Sequence, residues 1–137
     1  MTVVIDTNVI VQMFGSQSPY ARLKQALSRG EIHLVVSTPI YLEYEEVVVR
    51  YADEARWKQV ARFLQLISML HDTVVHASPA FRFRTISRDQ DDDAFADAAI
   101  TAEASFIITH DRHFDVLHDS GYRPRPITPD DFITRFL

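Results

Sequence analysis

The chain has 137 residues, 47% of them hydrophobic and none of them cysteine, and carries a formal net charge of −5. This length and apolar share predict a single domain over residues 1–137 with a real core and exclude a disordered chain; the missing thiols exclude a thiolate zinc or iron-sulfur centre and fit a reducing compartment. No apolar run is long enough to span a bilayer, and the opening residues lack the basic and long apolar regions of a signal peptide, so a cytoplasmic protein without membrane contact is expected.

The elements alternate along the chain. A β-branched run over residues 2–5 stops at Asp6 and reads as a buried strand. A helix is predicted over 19–29, ended by Gly30. A second strand over 32–36 leads to a helix over 39–50, with Thr38 as its cap and Pro39 at its first position. The next helix, over 53–70, places Trp57, Val60, Ala61, Leu64 and Ile67 on one face. Then come a strand over 73–75, an aperiodic stretch over 76–90, a helix over 92–104 and a strand over 106–109. The tail reads as a short extended piece and a closing helix from Pro129. Strands alternating with helices predict an α/β fold, a three-layer α/β/α Rossmann-like sandwich around a parallel sheet of four to five strands.

On that scaffold five acids gain a common address. Ligands of open parallel sheets bind beyond the carboxyl ends of the strands, and Asp6 and Asp111 each follow such an end. Glu43 lies about one turn into the helix after the second strand, leaning over the same edge. Asp93 and Asp97, at i and i+4, share a face at a helix start, where the dipole favours negative charge. Carboxylates about 4 Å apart repel by roughly 4 kcal/mol at an effective dielectric near 20, so a shared pocket must take up protons or cations. With oxygen donors alone, the cation is a hard one, Mg²⁺ or Mn²⁺.

With those five acids set aside the remaining charges balance. Of the 14 basic residues 12 are arginine, and Arg82, Arg84 and Arg88 precede the acidic helix while Arg112 follows Asp111. They are candidates for a local cationic lip on an overall acidic protein.

The order of motifs, Val3-Val4-Ile5-Asp6-Thr7-Asn8, then Ser37-Thr38-Pro39-Ile40-Tyr41-Leu42-Glu43, then Asp91-Asp92-Asp93-Ala94-Phe95-Ala96-Asp97, then Phe106-Ile107-Ile108-Thr109-His110-Asp111, resembles a PIN domain. More narrowly it resembles the VapC-like toxin components of bacterial toxin-antitoxin systems, nearly end to end. The resemblance implies a metal-dependent ribonuclease that leaves a 5′ phosphate and a 3′ hydroxyl. Asp6, Glu43, Asp93 and Asp111 would form its acidic quartet, Asp97 an additional metal acid, and Thr7, Asn8 and Thr109 hydrogen-bonding support. It also implies a cognate antitoxin protein, a homodimer and an RNA substrate, whose backbone Arg82, Arg84, Arg88 and Arg112 would steer; Tyr41, Tyr44 and Phe114 are then candidates for stacking on bases, although core or dimer positions fit them better. His110 departs from the family pattern, which usually has a small or polar residue there; with His113 it reads as a surface pair.

Other classes fit less well. A haloacid-dehalogenase-type phosphatase needs a second Asp where this chain has Asn8. A receiver-like domain needs a lysine after a strand, and neither Lys24 nor Lys58 follows one. A dinucleotide site needs clustered glycines, whereas Gly15, Gly30 and Gly121 lie far apart. The serious alternative is a PIN-fold nucleic-acid-binding or scaffold protein with little nuclease activity.

Overall fold

The computed structural model describes residues 1–78 and 90–137. Its strands are β1 (Thr2–Ile5), β2 (His33–Val36), β3 (Val74–His76), β4 (Phe106–Ile108) and β5 (Arg125–Ile127). Its helices are α1 (Thr7–Met13), α2 (Ala21–Ser28), α3 (Thr38–Tyr51), α4 (Glu54–His71), α5 (Gln90–Thr101) and α6 (Pro129–Phe136), with a 3₁₀ helix over Arg112–Asp119. The five strands form one sheet in the order β3-β2-β1-β4-β5, and all four pairings are parallel. Helices flank this sheet, giving the three-layer α/β sandwich expected. Strands covered on both faces read as continuous apolar runs, and Val3, Val4, Ile5, Leu34, Val35, Ile107 and Ile108 are all fully buried.

The sheet order carries the functional information. From central β1 the chain builds outward through β2 to β3, then returns to place β4 on the other side of β1. The switch point therefore lies between β1 and β4, paired in register from Val3 with Phe106 to Ile5 with Ile108. A crevice opens at the carboxyl ends of two such strands because the flanking connections diverge there. Asp6 and Asp111 fall beside it.

Local chemistry sets the helix bounds. Ser37 caps α3, its Oγ accepting from the amide of Ile40 at 3.4 Å, which moves the expected cap back by one residue and leaves Pro39 in the first turn. Asp53 caps α4 through the amide of Arg56 at 2.7 Å, and Thr128 caps α6 through that of Asp131 at 3.1 Å. Trp57, Val60, Leu64 and Ile67 are the buried face of α4, as its periodicity predicts. Helix α2 begins at Ala21 rather than at residue 19, with Tyr20 at its cap in a non-helical conformation and supplying no side-chain bond.

Two helices lie outside the sequence-based expectation. α1 has only seven residues and is rich in β-branched side chains, so its pattern continues that of β1; Asp6 capping and the burial of Val9, Ile10 and Met13 fold it instead. In the 3₁₀ helix the buried Phe114 and Leu117 repeat at the three-residue period of that geometry.

Both α2 and α5 close in Schellman motifs. In α2 the amides of Gly30 and Glu31 bond the carbonyls of Leu27 and Ala26, with Gly30 at φ +70°. In α5 the amides of Glu103 and Ala104 bond the carbonyls of Ile100 and Ala99, with Glu103 in the left-handed region at φ 52°. The helix predicted to reach residue 104 ends at Thr101 for that reason. Glu103 is exposed, and a side chain in that conformation costs on the order of 1 kcal/mol. Glu103→Gly is expected to raise stability by about 0.5 to 1 kcal/mol, seen as a higher urea midpoint at unchanged m-value; a lower midpoint would contradict the reading.

Candidate functional site

Asp6 leaves β1 and caps α1 at once. Its amide donates to the carbonyl of Ile108 on β4 at 2.9 Å, and its carbonyl receives the amides of Val9 and Ile10. Asp6 as a whole is only 8% exposed. Oδ1 accepts from the amide of Thr7 at 2.8 Å, and Oδ2 accepts from Thr109 Oγ1 at 2.7 Å. Burial pushes this carboxyl above its usual range and the negative charge of Asp111 adds to the rise, while the Thr109 and Thr7 hydrogen bonds and the nearby His110 oppose it.

Thr109 ties the two strand ends together. While donating to Asp6 it accepts from the amide of Asp111 at 2.9 Å, so one buried hydroxyl fixes both acids. Asp111 is half-buried and caps the 3₁₀ helix, its Oδ1 accepting from the amide of His113 at 2.9 Å with His113 Nδ1 at 3.4 Å. On the other side of Asp6, the wholly buried Tyr44 donates its hydroxyl to the carbonyl of Ile5. Burial raises the Tyr44 hydroxyl well above its ordinary range, and the charge of Asp6 adds to it. Glu43, half-buried, precedes Tyr44 on α3, so the bond that pins the end of β1 also sets the position of Glu43.

The remaining acids lie on α5, where Asp97 is buried and Asp93 half-buried. α5 packs against β1, β4 and α3, the elements bearing or preceding Asp6, Asp111 and Glu43. The topology sets Asp6 and Asp111 at neighbouring strand ends and packs the helix that carries Asp93 and Asp97 against β1, β4 and α3. Among the described residues no three His, Asp or Glu side chains are grouped so that they could hold one metal ion, while the charge of Asp111 acts on Asp6. The donor chemistry suits a hard cation, every candidate being an oxygen ligand. Thr7 Oγ1, buried without a hydrogen-bond partner among the described residues, adds an oxygen with capacity to spare next in sequence to Asp6.

Several expectations are sharpened. Asn8 is exposed, so the hydrogen-bonding support seen around Asp6 comes from Thr109 and the Thr7 amide. Tyr44 and Phe114 are fully buried and have no face to offer a base. His110 and His113 are exposed, as a surface pair should be; His110 Nε2 lies 3.2 Å from Gln12 Oε1 and 3.5 Å from the Tyr20 hydroxyl. Arg112 is exposed directly after Asp111, whereas Arg82, Arg84 and Arg88 lie outside the described residues. The structural part played by Tyr44 was missed from sequence, since nothing separates it there from any aromatic on the buried face of a helix.

A parallel sheet whose switch point carries neighbouring carboxylates defines the class, an α/β sandwich with an acidic edge. A family model described as the PIN domain matches residues 2–113, and the chain belongs to the PIN-domain family. PIN domains are generally nucleases and typically use divalent metal ions. No curated protein matches the chain. Among the described residues no helix is long and apolar enough to cross a membrane.

Proposed function

We propose that the protein is a Mg²⁺- or Mn²⁺-dependent endoribonuclease, the toxin of a toxin-antitoxin pair. The observation that carries the nuclease reading is the buried Asp6 carboxylate, coupled to Asp111 across the switch point of a PIN-domain sheet. Asp6, Glu43, Asp93, Asp97 and Asp111 are the residues that would hold the ion. When bound, it supplies Lewis acidity, lowers the pKa of water and stabilises charge on the departing oxygen.

The chain's own residues do the positioning. A carboxylate offers about four lone-pair sites; Thr7 and Thr109 engage one on each oxygen of Asp6 and leave capacity on both. Thr109 also fixes the backbone at Asp111, so the two acids keep one relative orientation. Burial makes Asp6 costly to ionise, which favours its pairing with a cation over solvation. Hydrolysis then places water on phosphorus and breaks the bond to the 3′ oxygen, leaving a 5′ phosphate and a 3′ hydroxyl. Arg112, exposed beside Asp111, would meet the RNA backbone.

The toxin assignment, the cognate antitoxin, the homodimer and the cytoplasmic setting rest on the sequence resemblance. The direct test is cleavage of a mixed single-stranded RNA pool by purified protein with Mg²⁺, Mn²⁺ or EDTA. Cleavage with either metal and none with EDTA is the expected outcome. Absence of cleavage, together with calorimetry showing that Mn²⁺ does not bind, would move the assignment to the scaffold class.

A further inference from the structure

We propose that a groove between α4 and the β2–β3 end of the sheet is a binding site for single-stranded RNA, holding nucleotides that flank the acidic edge. The proposal rests on the ribonuclease reading for its choice of ligand. The groove is a cavity of about 780 Å³. Its floor is apolar, with Val36, Leu64 and Val74 buried beneath it and Trp57 beside them. The ring of Tyr41, half-buried, stands edge-on to Trp57 with centroids 5.1 Å apart and planes at 71°, so its orientation is fixed.

The exposed rim is mixed, with Met69 and Gln65 standing beside cationic side chains. Lys58 and Arg62 lie one turn apart on α4, both exposed, and His76 is the exposed last residue of β3. Among the described residues the ion pairs involve other side chains, and neither Lys58 nor Arg62 takes part. Two adjacent cations without carboxylate partners there, on a chain of net charge −5, are not explained by internal pairing. Cations beside a fixed aromatic wall are the combination that holds a single strand: the cations track phosphates while the ring receives a base.

Placement fits the same ligand. Val36 and His76 are register partners at the carboxyl ends of β2 and β3, so the groove opens on the edge that carries Asp6. Neighbouring strands are about 4.8 Å apart, which puts the end of β3 on the order of 10 Å from the end of β1. A short single strand covers that distance. Tyr41 precedes Glu43 by two residues on α3, joining groove and acidic edge through one helix. An acidic protein segment would find the same rim attractive, and the test separates the two.

Trp57 is the only tryptophan, so its emission reports on this groove alone. A single-stranded RNA hexamer titrated into the full chain with EDTA present should change Trp57 emission saturably. The double variant Lys58→Ala, Arg62→Ala should bind at least about 10-fold more weakly, with the slope of log affinity against log salt reduced by roughly 0.7 for each phosphate no longer neutralised. Tyr41→Leu should weaken binding and leave that slope unchanged. The proposal is overturned if the double variant retains wild-type affinity and slope, or if RNA leaves Trp57 silent while an acidic leucine-rich peptide changes its emission. Failure of the nuclease reading looks different: RNA binding in the groove without metal-dependent cleavage sinks that reading alone, and cleavage with a silent Trp57 sinks the groove alone.

Discussion

Asp6→Asn is expected to lower RNA cleavage by at least about 100-fold, a loss typical of removing one preorganised electrostatic group, while raising the thermal stability of the metal-free protein at neutral pH. Both effects come from one carboxylate. Asn keeps the shape and the acceptor for the Thr7 amide, and Thr109 can turn its hydroxyl to accept from the new amide, so the fold stays intact. What is lost is the negative charge that would hold a cation. The stability gain follows from the direction in which burial moves Asp6. Because its folded pKa is raised, the native state binds the proton more tightly than the unfolded chain does. Asp6 therefore favours the fold most below the ordinary value of 3.8, loses that contribution as pH rises through the raised value, and above it is a constant cost. The neutral Asn escapes that cost. Melting in EDTA should give a higher Tm for the variant at neutral pH, with the gap closing toward about pH 4. Full cleavage by the variant would remove Asp6 from the site, and a lower Tm at neutral pH would contradict the account of its burial.

This conflict between stability and function was partly legible in the residues. Asp6 ending a β-branched run is a signal because such a strand in a parallel sheet is buried, and a carboxylate at its end is half-committed to the interior. The same logic located Asp111 after Phe106–Ile108. The i, i+4 spacing of Asp93 and Asp97 placed both on one helix, and that helix packs against β1 and β4. What stayed hidden was contact between distant segments. Thr109 bridging Asp6 and the Asp111 amide depends on β1 and β4 being neighbours, and strand order is not written in hydrophobic periodicity. Tyr44 reaching the Ile5 carbonyl is likewise a tertiary fact; its sequence context is that of any apolar helix position. α1 was missed because seven residues rich in valine and isoleucine give no separate helical period, and only the cap at Asp6 and the burial of Val9, Ile10 and Met13 decide it. The groove beside α4 escaped notice for a related reason: Trp57 and Leu64 were correctly read as a buried face, and nothing local says what Lys58 and Arg62 on the next face would meet.

The tail beyond the matched PIN segment is the place where local sequence and tertiary packing agree most closely, and it yields the second large effect. Phe132→Ala is expected to destabilise the protein by about 3 to 5 kcal/mol, the range for a fully buried phenylalanine. Phe132 is wholly buried, and its ring lies 6.0 Å from Phe106 on β4, nearly edge-on, and 5.1 Å from Phe136 one turn along α6. Phe106 and Phe136 meet in turn at 5.2 Å, so the three rings form one cluster that clamps α6 to the sheet. Phe106 begins the strand that ends before Thr109 and Asp111, and β5 extends that strand's ladder through the Thr109 amide to the carbonyl of Ile127. A loss of that size is a large part of the roughly 5 to 15 kcal/mol that a small domain has in total. Urea unfolding should show a midpoint shifted far down at nearly unchanged m-value, with Phe132→Leu recovering most of the difference because it refills the space. A shift below about 1 kcal/mol would mean that α6 is an appendage rather than part of the core. Since β4 leads into Asp111, Phe132→Ala should also weaken cleavage at temperatures near its own melting transition and leave it intact well below, whereas Asp6→Asn loses cleavage at every temperature.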